Sequence, residues 1–217
     1  MGEAELDKQH KQIIIHTDII TYGDAANPAI TESIREEIET MWNEPAAIVV
    51  LNGRGYRVVF KIHSSFQPGI TPEQIYTDVN PRNNFFRIEE FATGNISFTD
   101  GIGSNSGYFK LENLYKGSTT AAHEYGHTIG LDHPAILDIR GKGQPGIMYP
   151  RGTLVDPQFQ YDATVPAGQT GGTLNPVHRK VSQQDIDSLK LRKLPFNINR
   201  FATLGDFSNI YHPKQTP

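Results

Sequence analysis

The stretch His123-Glu124-Tyr125-Gly126-His127-Thr128-Ile129-Gly130-Leu131-Asp132-His133 constrains this chain more than any other. Side chains four apart share a helix face, so His123 and His127 can address one metal ion together. Glu124 stands beside them, where its carboxylate reaches a solvent ligand of that ion without binding the ion itself, as a general base must. Gly130 can take the positive φ that ends a helix, after which the chain bends and His133 supplies a third nitrogen. Three protein ligands leave tetrahedral zinc one open position, the arrangement of a catalytic site; closed structural sites have four. Cysteine, the usual ligand of closed sites, is absent from the 217 residues.

Two further motifs follow. Met148 lies in Gly146-Ile147-Met148-Tyr149-Pro150, and Val181-Ser182-Gln183-Gln184-Asp185-Ile186 reads as a helix start with Ser182 as N-cap and Asp185 as an acid in the first turn. The long histidine motif with a methionine behind it resembles the metzincin zinc metalloproteases. The Met-Tyr-Pro ending and the start of the last helix resemble the matrixin branch. Departures from that branch are Pro134 after the third histidine, the fifteen positions from His133 to Met148 and the length of the segment from Gly152 to Lys180. Position 150 is proline, so there is no tyrosine two residues beyond Met148.

The resemblance implies an α+β, metzincin-like (zincin) fold in one catalytic domain. Its upper subdomain, about 1–131, would hold a twisted mixed β-sheet with two helices. Its lower subdomain, about 132–217, would be small and irregular, with the methionine turn, a long loop and a C-terminal helix. The residues agree in outline. Gln12 to Ile20 carries the β-branched bulk of a buried strand, and Ile30, Ile34, Ile38 and Met41 or Trp42 recur at helical spacing before Pro45. Ala46 to Leu51 and Tyr56 to His63 flank Asn52-Gly53, a hairpin signal. Phe85 to Phe91, Asn95 to Thr99 and Gly107 to Leu111 are expected strands, and Ser182 to Arg192 an expected helix. Gly152 to Pro176, enriched in Gly, Pro and Thr, reads as a long loop, and 195–217 as an extended or loose tail.

Zinc held by His123, His127 and His133 would polarise a scissile carbonyl and acidify a water, with Glu124 taking the proton and passing it to the departing amine. The expected substrate is an extended peptide or protein paired with a strand edge, for which Ile96, Ser97 and Phe98 in Asn95–Thr99 are the candidates, with Gly107–Leu111 as the alternative. Tyr149 is a candidate for the adjoining pocket and Met148 a structural support beneath the metal. Two other readings are a catalytically silent zinc-binding module that recognises proteins, and a zinc amidohydrolase acting on a non-protein amide.

A net charge of −4 and 37% hydrophobic residues suggest neither disorder nor a nucleic-acid footprint. No apolar run approaches the roughly 20 residues of a membrane span. Met1-Gly2-Glu3-Ala4-Glu5-Leu6 lacks the features of a signal peptide, so the compartment is undetermined and a mature exported form is expected, as a monomer. His10, His16, His63, His178 and His212 have no spacing for a second metal. Asp78, Asn80, Asn83, Asn84, Asp100 and Asn105 could offer oxygen ligands to calcium, but turn hydrogen bonding explains them better.

Overall fold

The computed structural model describes residues 1–216. In chain order the elements are β1 (Gly2–Asp7), β2 (Gln12–Tyr22), α1 (Pro28–Asn43), β3 (Ile48–Leu51), β4 (Arg54–Phe66), α2 (Pro72–Tyr76), β5 (Asn83–Glu89), β6 (Phe98–Thr99), β7 (Ser106–Lys110), α3 (Thr120–Thr128), α4 (Gln183–Ser188) and β8 (Phe201–Leu204). This is an α+β architecture built on one mixed sheet, whose main order is β3-β4-β2-β5-β7-β6.

The isoleucine-rich β2 is the axis of that sheet. One edge runs parallel to β4. The other is shared, antiparallel to β1 over Gln12–His16 and parallel to β5 over Asp18–Tyr22. Both faces of β2 are covered, which accounts for its nearly continuous apolar run. The β3–β4 hairpin closes through Asn52 and Gly53 with φ of 48° and 75°. Two successive positive φ values make the primed turn that suits the twist of paired strands.

Helix α1 starts at Asn27, whose side chain accepts the Ile30 N–H at 3.0 Å, with Pro28 in the first turn. Its buried stripe of Ile34, Ile38 and Trp42 packs on β4 and α3. These residues belong to one core running from Ala4 and Ile15 through Phe60 and Tyr125 to Met148, Ile186 and Leu204. The parts above and below the cleft therefore share a hydrophobic core.

Two regions depart from the sequence expectations, and two others, the long loop and the tail, are more ordered than those expectations required. Asn95–Thr99 is a strand only at Phe98–Thr99, because Gly94 and Asn95 turn the chain with φ of 75° and 58°. The last helix ends at Ser188, well before Arg192; Leu189 caps it and Lys190 takes φ 53°. The 152–180 loop is ordered around a small cluster of Ile139, Val155 and Leu174, with Tyr149 and Phe159 against it. In the tail, β8 pairs antiparallel with β1, and Tyr211 stacks on Tyr22 at 5.4 Å. Residues 201–204 thus return to the sheet, which the expected 132–217 lower region did not include.

Candidate metal centre

All nine residues of α3 are buried, which places polar side chains in the core and requires their partners to be built around them. Thr119, the residue ahead of the helix, has φ 58° and gives no side-chain cap. Glu37 of α1 does that work, accepting the Ala122 N–H at 3.1 Å. Desolvation raises the Glu37 carboxyl above its usual range, against the lowering effect of these N–H groups. On the sheet side, Trp42 Nε1 donates to Ala122 O at 3.0 Å, and the Tyr125 hydroxyl meets Thr17 Oγ1 at 2.9 Å. Alanines and tyrosine thus face the core, while His123, Glu124 and His127 face the cleft.

The helix stops as its sequence requires. Leu131 N–H donates to Gly126 O and Gly130 N–H to His127 O, each at 3.0 Å, around Gly130 with φ 99°. This pair of bonds is a Schellman motif, which needs a residue free to adopt the left-handed region. The reversal brings His133 Nε2 to 3.1 Å from His123 Nε2 and 3.2 Å from His127 Nε2.

The proton positions follow from the partners. His123 Nδ1 lies 2.8 Å from Ile147 O, and His127 Nδ1 lies 2.7 Å from Leu131 O. A carbonyl only accepts, so each Nδ1 carries the proton and each Nε2 keeps its lone pair. Burial lowers the pKa of His123, His127 and His133, favouring the neutral rings. Lone pairs at such spacings repel unless a cation lies among them. Zinc–nitrogen bonds of about 2.0–2.1 Å at tetrahedral angles require nitrogens about 3.4 Å apart, so the donor set fits zinc. Among the described residues, these three form the one cluster of three or more His, Asp or Glu side chains spaced for a shared ion.

Glu124 is buried, and Thr99 Oγ1 lies 3.1 Å from both its Oε2 and its carbonyl oxygen. Burial pushes the Glu124 carboxyl up to about 7, opposed by the Thr99 hydrogen bond. Met148 packs under α3 at Gly126, and Ile147, one residue earlier, supplies the carbonyl that orients His123.

These groups open onto a cleft of about 350 Å³. The candidate substrate residues Ile96, Ser97 and Phe98 line one wall. β6 is the terminal strand of the sheet and β7 an internal one, so of the two candidate edges only β6 has an open side. Ser97 Oγ accepts the Lys110 N–H at 3.0 Å, extending the β6–β7 contact by a side chain. Tyr149 is not a wall of this cleft: it leans on the Ile139 cluster, and Pro150 and Arg151 line the cavity in its place.

No family model and no curated protein matches the chain. Among solved structures it is similar to archaemetzincin from Methanopyrus kandleri, at 12% identity and a TM-score of 0.41, covering 82% of this chain and 95% of that one. It is also similar to myroilysin in two structures. One has 12% identity, a TM-score of 0.36 and coverage of 88% and 100%; the other has 14%, 0.27 and coverage of 94% and 75%.

The remaining polar candidates lie apart from the centre. Asn83 donates to Asp78 at 2.8 Å, Asn80 Oδ1 accepts the Arg82 N–H at 3.1 Å, and Asn105 Oδ1 accepts the Asn209 N–H at 2.9 Å. These are turn and tail contacts, and Asp100 pairs with His212 at 2.9 Å. Two cleft residues have no local signal in the sequence: Arg179, at the end of the long loop, and Arg151, just past the methionine turn.

Proposed function

We propose that this protein is a zinc-dependent endopeptidase that hydrolyses extended polypeptides. The observation that carries the reading is the convergence of three Nε2 lone pairs beside the buried Glu124 carboxylate, in a cleft bordered by an open strand edge. Zinc, when held by His123, His127 and His133, supplies Lewis-acid polarisation of a carbonyl and acidification of a water. The chain's own residues do the rest. Glu124 accepts the water's proton as the carbonyl is attacked and delivers it to the departing amine. Thr99 holds the carboxylate by its hydroxyl, fixing the oxygen that receives the proton. The β6 edge offers main-chain groups to an extended peptide, giving affinity that tolerates many sequences. Met148 supports the helix from beneath and does not line the cleft.

Within the metzincins, the Met148-Tyr149-Pro150 ending and the Ser182 helix start favour a matrixin-like member, acting as a monomer in its exported form. The silent-module reading leaves the buried Glu124 carboxyl without a task, and the non-protein amidohydrolase reading leaves the strand edge without one. The deciding test combines metal analysis with cleavage-site mapping on a denatured protein mixture, using wild type and Glu124→Ala. One zinc per chain in both proteins with cleavage only in wild type supports the reading, whereas a zinc-loaded wild type that cuts nothing overturns it.

A further inference from the structure

Arg179 is the charged side chain that the proposed chemistry does not use. It is 4% exposed, yet it lines the same cleft as the histidines. Its Nε is buried with no hydrogen-bond partner, and among the described residues no carboxylate forms an ion pair with its guanidinium. Native proteins rarely bury a cation without a counter-ion, because desolvation costs several kcal/mol unless a partner compensates for it. Burial lowers the Arg179 pKa to about 10, so the side chain remains cationic at neutral pH.

The position is built. The Thr119 hydroxyl and the backbone N–H of Arg179 both donate to Pro176 O, each at 2.9 Å, which fastens the end of the long loop to the start of the metal-binding helix. Arg151 stands in the same cavity, with one Nη 3.3 Å from Asn113 Oδ1. Against these two guanidinium groups the cleft offers one acid, Glu124, whose task is proton transfer.

We propose that this part of the cleft is an acidic-residue subsite, in which Arg179, assisted by Arg151, receives the side-chain carboxylate of an Asp or Glu flanking the scissile bond. The inference rests on the endopeptidase reading and narrows its substrate class to acidic peptides. A planar guanidinium matches a carboxylate in two parallel hydrogen bonds, and a partly desolvated site strengthens the pairing. An isosteric amide would leave the buried cation unpaired, so the site rejects it.

The test compares kcat/KM of the zinc-loaded protein for two peptides that differ only by Asp or Asn beside the cut, with cleavage mapping of a peptide mixture alongside. Wild type should favour Asp by roughly 10- to 100-fold, the range of a charge-assisted hydrogen bond. In Arg179→Gln the ratio should collapse towards one, and Arg179→Lys should retain an intermediate preference because charge without the fork is a weaker match. A wild type that cleaves both peptides equally overturns the inference with the protease reading intact, and needs no variant to fold. A variant that slows both peptides by the same factor also overturns it, since Arg179 would then serve the reaction and not the choice of substrate. Absence of any cleavage overturns the protease reading and this inference with it.

Discussion

Met148 Sδ occupies the space where a Cβ on Gly126 would stand, so the methionine turn and the metal-binding helix meet with no room for a side chain between them. The same turn presents Ile147 O to His123 Nδ1 at 2.8 Å. One contact therefore fixes the distance between helix and turn, and the preceding residue uses that distance to orient a metal ligand.

Replacing Gly126 by alanine tests this contact. In an ordinary helix the change stabilises by up to about 1 kcal/mol. Here the new methyl group meets Met148 Sδ and Cε and Trp42 Cζ2, and overpacking of this kind typically costs about 1–3 kcal/mol. Urea denaturation should show a net loss of stability, with a lower zinc affinity by metal competition. A second substitution, Met148→Ala, should recover part of the loss by coupling. A more stable Gly126→Ala protein would show that the contact is loose.

Metal removal should destabilise the fold. Three lone pairs 3.1 and 3.2 Å apart repel in the apo state, and a ligand that binds only the folded state adds about 4 kcal/mol at a thousand-fold excess over Kd. A chelator should lower the Tm, zinc should restore it, and His127→Ala should respond to neither. If wild type melts identically with and without chelator, the three histidines do not form a folding-linked metal site.

The long loop has its own support, so damage there should remain local. Leu174 is completely buried against Ile139 and Val155 in a cluster separate from the main core. Leu→Ala changes in cores cost about 2–5 kcal/mol, and in a satellite cluster the loss appears as local opening. Hydrogen exchange of Leu174→Ala should quicken across 152–180 while β2 and β4 remain protected. Equal acceleration in the sheet would mean that loop and core unfold as one unit.

The parts of the molecule that were legible in the sequence are those whose signals are local. The histidine spacing, the Gly130 stop, the α1 stripe and the Asn52-Gly53 turn each depend on residues within a few positions of one another. The rest depends on long-range partners. Gly2–Asp7 alternates Glu3, Glu5 and Asp7 with small or apolar residues and pairs with the adjacent β2, but its second partner, β8, comes from some two hundred residues away. Glu37 is one of several acids along the α1 sequence with nothing local to single it out; its role as the cap of α3 is set by a contact across 85 positions. Arg179 sits in a stretch without periodicity, and only the closed loop shows that it is buried beside the histidines. Asn95–Thr99 was misleading for a local reason: Ile96 and Phe98 read as strand, but Gly94 and Asn95 bend the chain into it.

The Glu37 cap predicts an unusual pH dependence. Its carboxyl is raised in the folded state by desolvation, more than its bonds to the α3 N–H groups lower it. At pH below the ordinary carboxylate value, both folded and unfolded states hold the proton and the group contributes nothing. As pH rises past that value the unfolded chain ionises first, the folded chain binds more protons, and stability falls with pH until the raised folded pKa is passed. Above it the penalty is constant. Glu37→Gln removes the titration and keeps one oxygen to accept the Ala122 N–H. The stability of the variant relative to wild type should therefore rise as pH climbs past the ordinary carboxylate value and level off once the raised folded pKa is passed, as read from urea midpoints at fixed ionic strength. A difference that stays flat with pH, or that falls, would mean that the folded protein holds Glu37 as a stabilised carboxylate, with the helix N–H groups outweighing its burial.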